Sequence, residues 1–100
     1  MASRLKLHEE FLGILNYAYF NPPESVKMKY PCVRYYLSAI DAKYADDRAY
    51  KYKNRYTVLV ITPDPDDDYH TRILEHFPMC SYERSYNSNN LVHHVLNLYY

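Results

Sequence analysis

The spacing of apolar residues changes along the chain, and each kind of spacing predicts a helix or a strand. In residues 4–16 they recur at helical spacing and occupy one broad half of the circumference. They are Leu5, Leu7, His8, Phe11, Leu12, Ile14 and Leu15. Ser3 precedes this segment and is a suitable N-cap residue. The pattern predicts an amphipathic helix that lies on a sheet.

Five later segments have the composition of strands. They are residues 17–20, 30–40, 55–62, 79–86 and 91–100. The unbroken apolar stretch from Val58 to Ile61 is typical of a central strand. Residues 87–90, Asn-Ser-Asn-Asn, are predicted as the turn of the last hairpin, because asparagine tolerates the left-handed backbone conformation.

A second helix is predicted after the acidic segment 63–68, Pro-Asp-Pro-Asp-Asp-Asp. Asp64 is expected to be its cap and Pro65 its first residue, with carboxylates near the positive end of the helix dipole. Tyr69, Ile73, Leu74 and Phe77 are its predicted buried stripe, and Pro78 ends it. A calcium loop is the alternative, but an EF-hand loop needs a glycine at its sixth position and a glutamate at its twelfth. This segment has neither.

The predicted order is α, β, β, β, α, β, β. Short connections favour an α+β fold, a two-layer sandwich in which a mainly antiparallel sheet of four to five strands carries both helices on one face. A length of 100 residues indicates a single domain. The polar segment 41–54 mixes charges with tyrosines and is predicted to be a projecting functional arm. An extended hairpin with a solvated tip is the alternative.

Composition excludes several classes of protein. Twelve Lys and Arg balance twelve Asp and Glu, which argues against a domain whose main role is to grip nucleic acid. A single glycine, Gly13, excludes dinucleotide fingerprints and P-loops. No apolar run is long enough to span a membrane, and the first residues lack a signal-peptide segment. We therefore expect synthesis in a reducing cytoplasm, where Cys32 and Cys80 are buried thiols.

The sequence contains no recognisable catalytic, cofactor or metal motif. His93 and His94 are adjacent on a strand and point to opposite faces, and Cys-x-x-Cys and His-x-x-x-His spacings are lacking. A nucleophile formed by Cys32 or Cys80 with a histidine stays as the enzyme alternative.

Fourteen tyrosines without tryptophan are the unusual feature of the composition. They suit either a tyrosine-rich core or a surface that is buried against another chain. In the second case the predicted subunit contacts are Tyr44, Asp46, Asp47, Arg48, Tyr50, Tyr52, Tyr99 and Tyr100. A small nucleic-acid-binding module is the other alternative, in which Lys51, Tyr52, Lys53 and Arg55 interleave bases and aromatics.

Several motifs resemble those of small tail proteins of tailed bacteriophages, described as minor tail, tail completion or tail terminator proteins. The longest is residues 22–35, PPESVKMKYPCVRY, followed by KYADD at 43–47, RYTV at 55–58, DPD at 64–66, CSYER at 80–84, NNL at 89–91 and the final LYY. The resemblance covers nearly the whole chain in order. Residues 67–70, Asp-Asp-Tyr-His, depart from the pattern.

The resemblance implies a structural virion protein and no enzymatic activity. Such tail terminators form a ring, typically a homohexamer, that caps the tail tube and joins it to the head. The implied partners are other copies of the chain, the tail tube protein and the head–tail connector or adaptor protein. Genomic DNA would pass through the channel without sequence-specific binding. A head-side connector or another minor tail protein stays as an alternative, and the expected location is the tail or neck of the virion.

Overall fold

The strands and helices follow the predicted order. The computed structural model describes residues 4–45 and 48–100, with side chains described outside residues 43–52. The elements are α1 (Arg4–Leu12), β1 (Ala18–Phe20), β2 (Cys32–Ala45), β3 (Arg48–Thr62), α2 (Tyr69–His76), β4 (Cys80–Ser88) and β5 (Leu91–Tyr99). The five strands form one sheet in the order β1-β2-β3-β5-β4. The predicted α+β class is therefore confirmed.

The sheet is antiparallel except at one edge, where β1 pairs parallel to β2. β3 lies at the centre of the strand order, as the apolar stretch predicted. A cis peptide bond between Tyr30 and Pro31 precedes β2. The β4–β5 turn has positive φ at Asn89 (53°) and Asn90 (62°), which confirms the role predicted for the asparagines.

The main core lies between both helices and one face of the sheet, which we call the helix-covered face. Leu7 and Phe11 of α1 and Ile73 of α2 are fully buried against it. Tyr35 lies at its centre, with ring centroids 4.9 Å from Phe11 and 5.1 Å from Phe20. These tilted aromatic contacts are favourable beyond the area they bury. Both helices therefore pack on one face, as predicted.

The first helix is shorter than predicted, because it ends at Leu12 and not at residue 16. Its predicted apolar half was also too wide. Leu5 is 66% exposed and Leu12 is 45% exposed, whereas Leu7 and Phe11 are buried. A helix of nine residues turns only a narrow stripe towards the sheet, and two side chains fill it. Ser3 lies outside the described residues.

The second helix begins later than predicted. It starts at Tyr69 with Asp68 in the N-cap position, so the assignment of Asp64 as cap was wrong. Asp64 instead accepts a hydrogen bond at Oδ1 from the backbone N–H of Asp66 at 2.9 Å, and the Thr62 hydroxyl donates to the carboxylate of Asp67. These local bonds form a turn in place of a first helical turn.

Candidate interaction surface

The described residues of the polar segment, 41–45 and 48–54, belong to two paired strands and not to a loop. β2 and β3 continue in an antiparallel ladder from Asp41↔Lys53 to Ala45↔Arg48, with a register irregularity after Lys43. The last residue of β5 pairs with Arg55, so in the described part of the chain these outer rungs have no third strand beside them. Five rungs span about 16 Å. The molecule measures 50 × 28 × 24 Å.

The sheet face opposite the helices, which we call the open face, is built by the register of the strands. One row across it contains Tyr19, Arg34, Leu59, Val95 and Arg84, which are paired neighbours from β1 to β4. A second row contains Tyr36, Thr57, Asn97 and Ser81, and a third Cys32, Ile61, His93 and Tyr86. Among the described residues, this face's buried cluster receives no helical side chain.

Part of the open face is nevertheless covered. Tyr17, Tyr19 and Met28 pack against its buried cluster, so the 21–31 loop shields the end near β1. Cys32 lies there and is fully buried, and burial raises its pKa to about 12. Nearby Arg34 has a buried Nε atom that lacks a hydrogen-bond partner in the described structure. A long cationic side chain thus lies over apolar surface.

The rest of the open face presents tyrosine and arginine. Tyr36 and Tyr86 are each 38% exposed. The Tyr86 ring stacks on His93 with centroids 4.7 Å apart, and the Arg84 guanidinium lies 5.4 Å from the Tyr86 ring centroid. Large, stiff aromatic rings beside guanidinium groups are the side chains most enriched at protein interfaces. This face therefore has the composition of a contact surface.

The predicted contact residues other than Tyr100 fall in three places. Asp46 and Asp47 lie outside the described residues, and Tyr44, Arg48, Tyr50 and Tyr52 lie on the ladder in the part whose side chains are not described. Tyr99 lies on the open side, in a shallow pocket of about 210 Å³ lined also by Asp41, Lys53 and Met79. Their assignment to an interface stays a prediction.

Tyr100 occupies a different environment from its neighbour. Its ring packs against the helix-covered core with its centroid 5.9 Å from that of Phe77. Its hydroxyl donates to the Glu10 carboxylate, and burial together with that bond raises the pKa of Tyr100 to about 12. Glu10 also lies 3.3 Å from His76 Nε2, so Glu10 links Tyr100 to both helices.

The histidines and cysteines do not come together as a nucleophilic pair in the contacts of the described side chains. His94 stacks on His70 of α2 at 3.8 Å between centroids and is hydrogen bonded through Nδ1 to the Tyr82 hydroxyl at 3.1 Å. Burial lowers the pKa of His94, and the nearby His70 lowers it further. Burial raises the pKa of Cys80 to about 11, so its thiol is protonated at neutral pH.

Two negative findings hold for the described part of the chain. It contains no group of three or more His, Cys, Asp or Glu side chains placed to hold a metal ion. It contains no helix with the length and apolar character needed to cross a membrane.

Sequence reasoning missed the open face as a surface. The alternation of side chains in β3 would have placed Arg55 with Thr57 and Leu59, but the strand order was needed to bring Arg34 and Arg84 into one row. Comparison with known proteins adds nothing further, since no family model, curated protein or solved structure matches this chain.

Proposed function

We propose that this chain is a structural protein of a tailed-phage virion, a tail terminator or tail completion protein whose copies form a ring that caps the tail tube and joins it to the head. The observation that carries the proposal is the two-stranded ladder that β2 and β3 form from the Asp41–Lys53 pair to the Ala45–Arg48 pair. The motif resemblance indicates the class of protein, and the ladder offers a surface through which copies could assemble.

A two-stranded hairpin alone is at best marginally stable in water, and the ladder leaves backbone groups unpaired along both outer edges. Contact with a neighbouring molecule satisfies those groups and buries the tyrosines that the segment carries. If each copy lays its ladder on the next, the contact is head-to-tail, and a head-to-tail contact closes into a ring when its rotation permits. The ladder is therefore an assembly arm in this proposal.

The proposal is tested first by composition of the particle. Quantitative mass spectrometry of purified tailed virions is expected to find about six copies per particle, one ring. Absence from the particle, or a single copy, contradicts the proposal. Particles made without the protein separate the two structural roles: full heads beside unattached, overlong tails indicate a terminator, and heads that leak DNA indicate a head-side adaptor.

The arm is tested by deletion. Removing residues 42–52 and joining Asp41 to Lys53 through Asn-Gly keeps a paired rung at the new turn. We expect the variant to keep a cooperative thermal unfolding transition, because the described core clusters are built by residues outside 42–52, and we expect loss of head–tail joining. The matched control is Lys43→Arg with Lys51→Arg, which keeps the charges of one paired rung and keeps the ladder. Normal joining by the deletion variant contradicts the arm.

A nucleic-acid-binding module is the second candidate function, and one observation favours it. Lys53 and Arg55, two of the four residues predicted for it, both lie on the open side of the sheet. This function requires binding to single-stranded oligonucleotides that weakens steeply as salt rises. Absence of binding at low salt excludes it.

A further inference from the structure

The neutral net charge conceals two oppositely charged sides. The two helices and the 63–68 turn, which we call the helix layer, carry seven carboxylates and three basic side chains, an excess of four negative charges. The described side chains of the 21–31 loop and the sheet include six basic groups and three carboxylates, an excess of three positive charges. Four of the basic groups are Arg34, Lys53, Arg55 and Arg84.

The outer surface of α1 has a stripe with no cover among the described residues. Leu5, Glu9 and Leu12 are spaced i, i+4 and i+7, so they lie on one side of the helix. All three are exposed, Leu5 to 66% and Leu12 to 45%. The stripe thus places one carboxylate between two leucines. Glu75 is an exposed carboxylate on α2.

The open face complements this stripe. Its exposed rings, Tyr36 and Tyr86, provide apolar contact area. Arg84 provides a guanidinium whose side chain is 66% exposed and whose Nε atom lies 3.5 Å from the exposed Glu83 carboxylate. Arg55 lies two rows from Arg84, paired with Tyr99. A helix that presents leucine, glutamate and leucine can place its carboxylate against Arg84 and one leucine against the neighbouring Tyr86 ring.

We infer that the open face of each copy binds the helix layer of the next copy, with the Leu5–Glu9–Leu12 stripe at the centre of the contact. This inference rests on the proposed ring and names the surfaces that build it. Two open faces repel each other, and so do two helix layers, whereas a helix layer on an open face pairs opposite charges. That contact joins two different surfaces and repeats from copy to copy.

The charge pattern favours a second copy over nucleic acid as the occupant. A phosphate backbone would use the basic side alone and leave the excess charge of the helix layer without a role. One face of the Tyr86 ring already stacks on His93 and is therefore not free for a base. A second copy uses both sides of the molecule.

The test is charge reversal followed by mixing. The sheet variant carries Arg55→Glu and Arg84→Glu, and the helix variant carries Glu9→Lys, Asp66→Lys and Glu75→Lys, which make its helix layer positive. Each variant has two like-charged sides, so we expect self-association at least about tenfold weaker than that of the unmodified chain. An equimolar mixture restores opposite charges at every contact when the two variants alternate, and we expect its association to return to within about threefold of the unmodified chain.

The measurement is analytical ultracentrifugation up to about 1 mM protein at low salt, with circular dichroism to show that each variant folds. The matched controls, Arg55→Lys with Arg84→Lys and Glu9→Asp with Asp66→Glu and Glu75→Asp, keep the charges and are expected to associate normally. Unchanged association of either reversed variant, no recovery on mixing, or no association of the unmodified chain overturns the inference. So does charge-dependent binding of a (dT)20 oligonucleotide without self-association.

Failure of this inference is distinguishable from failure of the proposed function. A protein present in several copies per virion whose assembly ignores these substitutions keeps its proposed function and loses the proposed surfaces. A protein that passes the mixing test and is absent from tailed particles keeps the surfaces and loses the function.

Discussion

The two faces of the sheet are made by the same strands and bury their apolar residues in different ways. On the helix-covered face, Tyr35 and Val58 are fully buried under two helices. On the open face, Leu59 is 8% exposed and Val95 is 4% exposed although neither helix contributes to their cluster. Neighbouring tyrosine and arginine side chains and part of the 21–31 loop provide their cover.

The difference shows how a face can stay available to a partner without a large exposed apolar patch, which in a monomer is an aggregation hazard. A helix layer fixes its residues by close packing. Side chains that lie flat over a sheet shield it from water and can still rearrange when another surface arrives. We therefore expect substitutions on the helix-covered face to lower stability, and substitutions on the open face to affect assembly more than stability.

The largest contrast is expected at two adjacent tyrosines. Tyr35 is fully buried among aromatic rings and its hydroxyl is hydrogen bonded to His8 Nδ1 at 2.7 Å, whereas Tyr36 on the open face is 38% exposed. Tyr35→Ala is expected to cost about 3–5 kcal/mol, because it leaves a large cavity. Tyr36→Ala is expected to cost less than about 1 kcal/mol.

Urea unfolding of the two variants measures the contrast. If Tyr35→Ala does not fold, Tyr35→Phe keeps the ring, removes the hydroxyl and is expected to cost about 1 kcal/mol. Equal losses for Tyr35→Ala and Tyr36→Ala contradict the distinction between the faces.

A smaller difference in stability loss is expected between residues that cover the two faces. Ile73 of α2 is fully buried in the helix-covered core, and Met28 in the 21–31 loop is partly buried against the open face. We expect Ile73→Ala to cost about 3 kcal/mol, because it removes packed side-chain atoms and leaves a cavity. Met28→Ala is expected to cost about 1 kcal/mol, since less of its surface is buried. Thermal unfolding compares them, and a larger loss at Met28 contradicts the assignment of the loop as partial cover.

The sequence predicted the parts of the fold that apolar residues determine. The Val58–Ile61 stretch identified a central strand, because only a strand buried on both faces can accommodate successive apolar side chains. The asparagines identified the last turn. Residues 41–54 were harder, because a hairpin that faces no core has no reason to alternate apolar and polar residues. A hairpin was one of two interpretations from the sequence, and the register of β2 and β3 shows the pairing of residues 41–45 with 48–53.

The candidate surface could not be predicted from the sequence for a different reason. Arg34, Arg55 and Arg84 are far apart in the chain, and they meet on one face only through the strand order and the bulge between Tyr82 and Arg84. The acidic turn was assigned to a helix start, because sequence pattern cannot distinguish a cap from the side-chain bonds of Asp64 and Asp67. The separation of charge between the two sides of the molecule likewise depends on the strand order, so it could not be predicted from the sequence.

The smallest expected effect is on the pH dependence of the free energy of unfolding. It compares two adjacent histidines that lie on opposite faces. His94 is 8% exposed on the helix-covered face, stacked on His70 and bonded to Tyr82, and burial lowers its pKa. The unfolded chain takes up a proton at His94 near pH 6.5, whereas the folded chain does so only at lower pH. The unfolded state therefore binds more protons, and the free energy of unfolding falls as the pH drops through about 6.5.

His94→Gln is expected to flatten this fall, which urea unfolding at pH 8, 7, 6 and 5.5 measures. The slope will not vanish, because burial also lowers the pKa of His8, and that group contributes in the same direction. His93→Gln is the matched control, since it removes the adjacent imidazole from the open face and retains the buried one. If both substitutions change the slope equally, the buried histidine stack is not the source of the pH dependence. The two faces would then differ in packing but not in their response to protons.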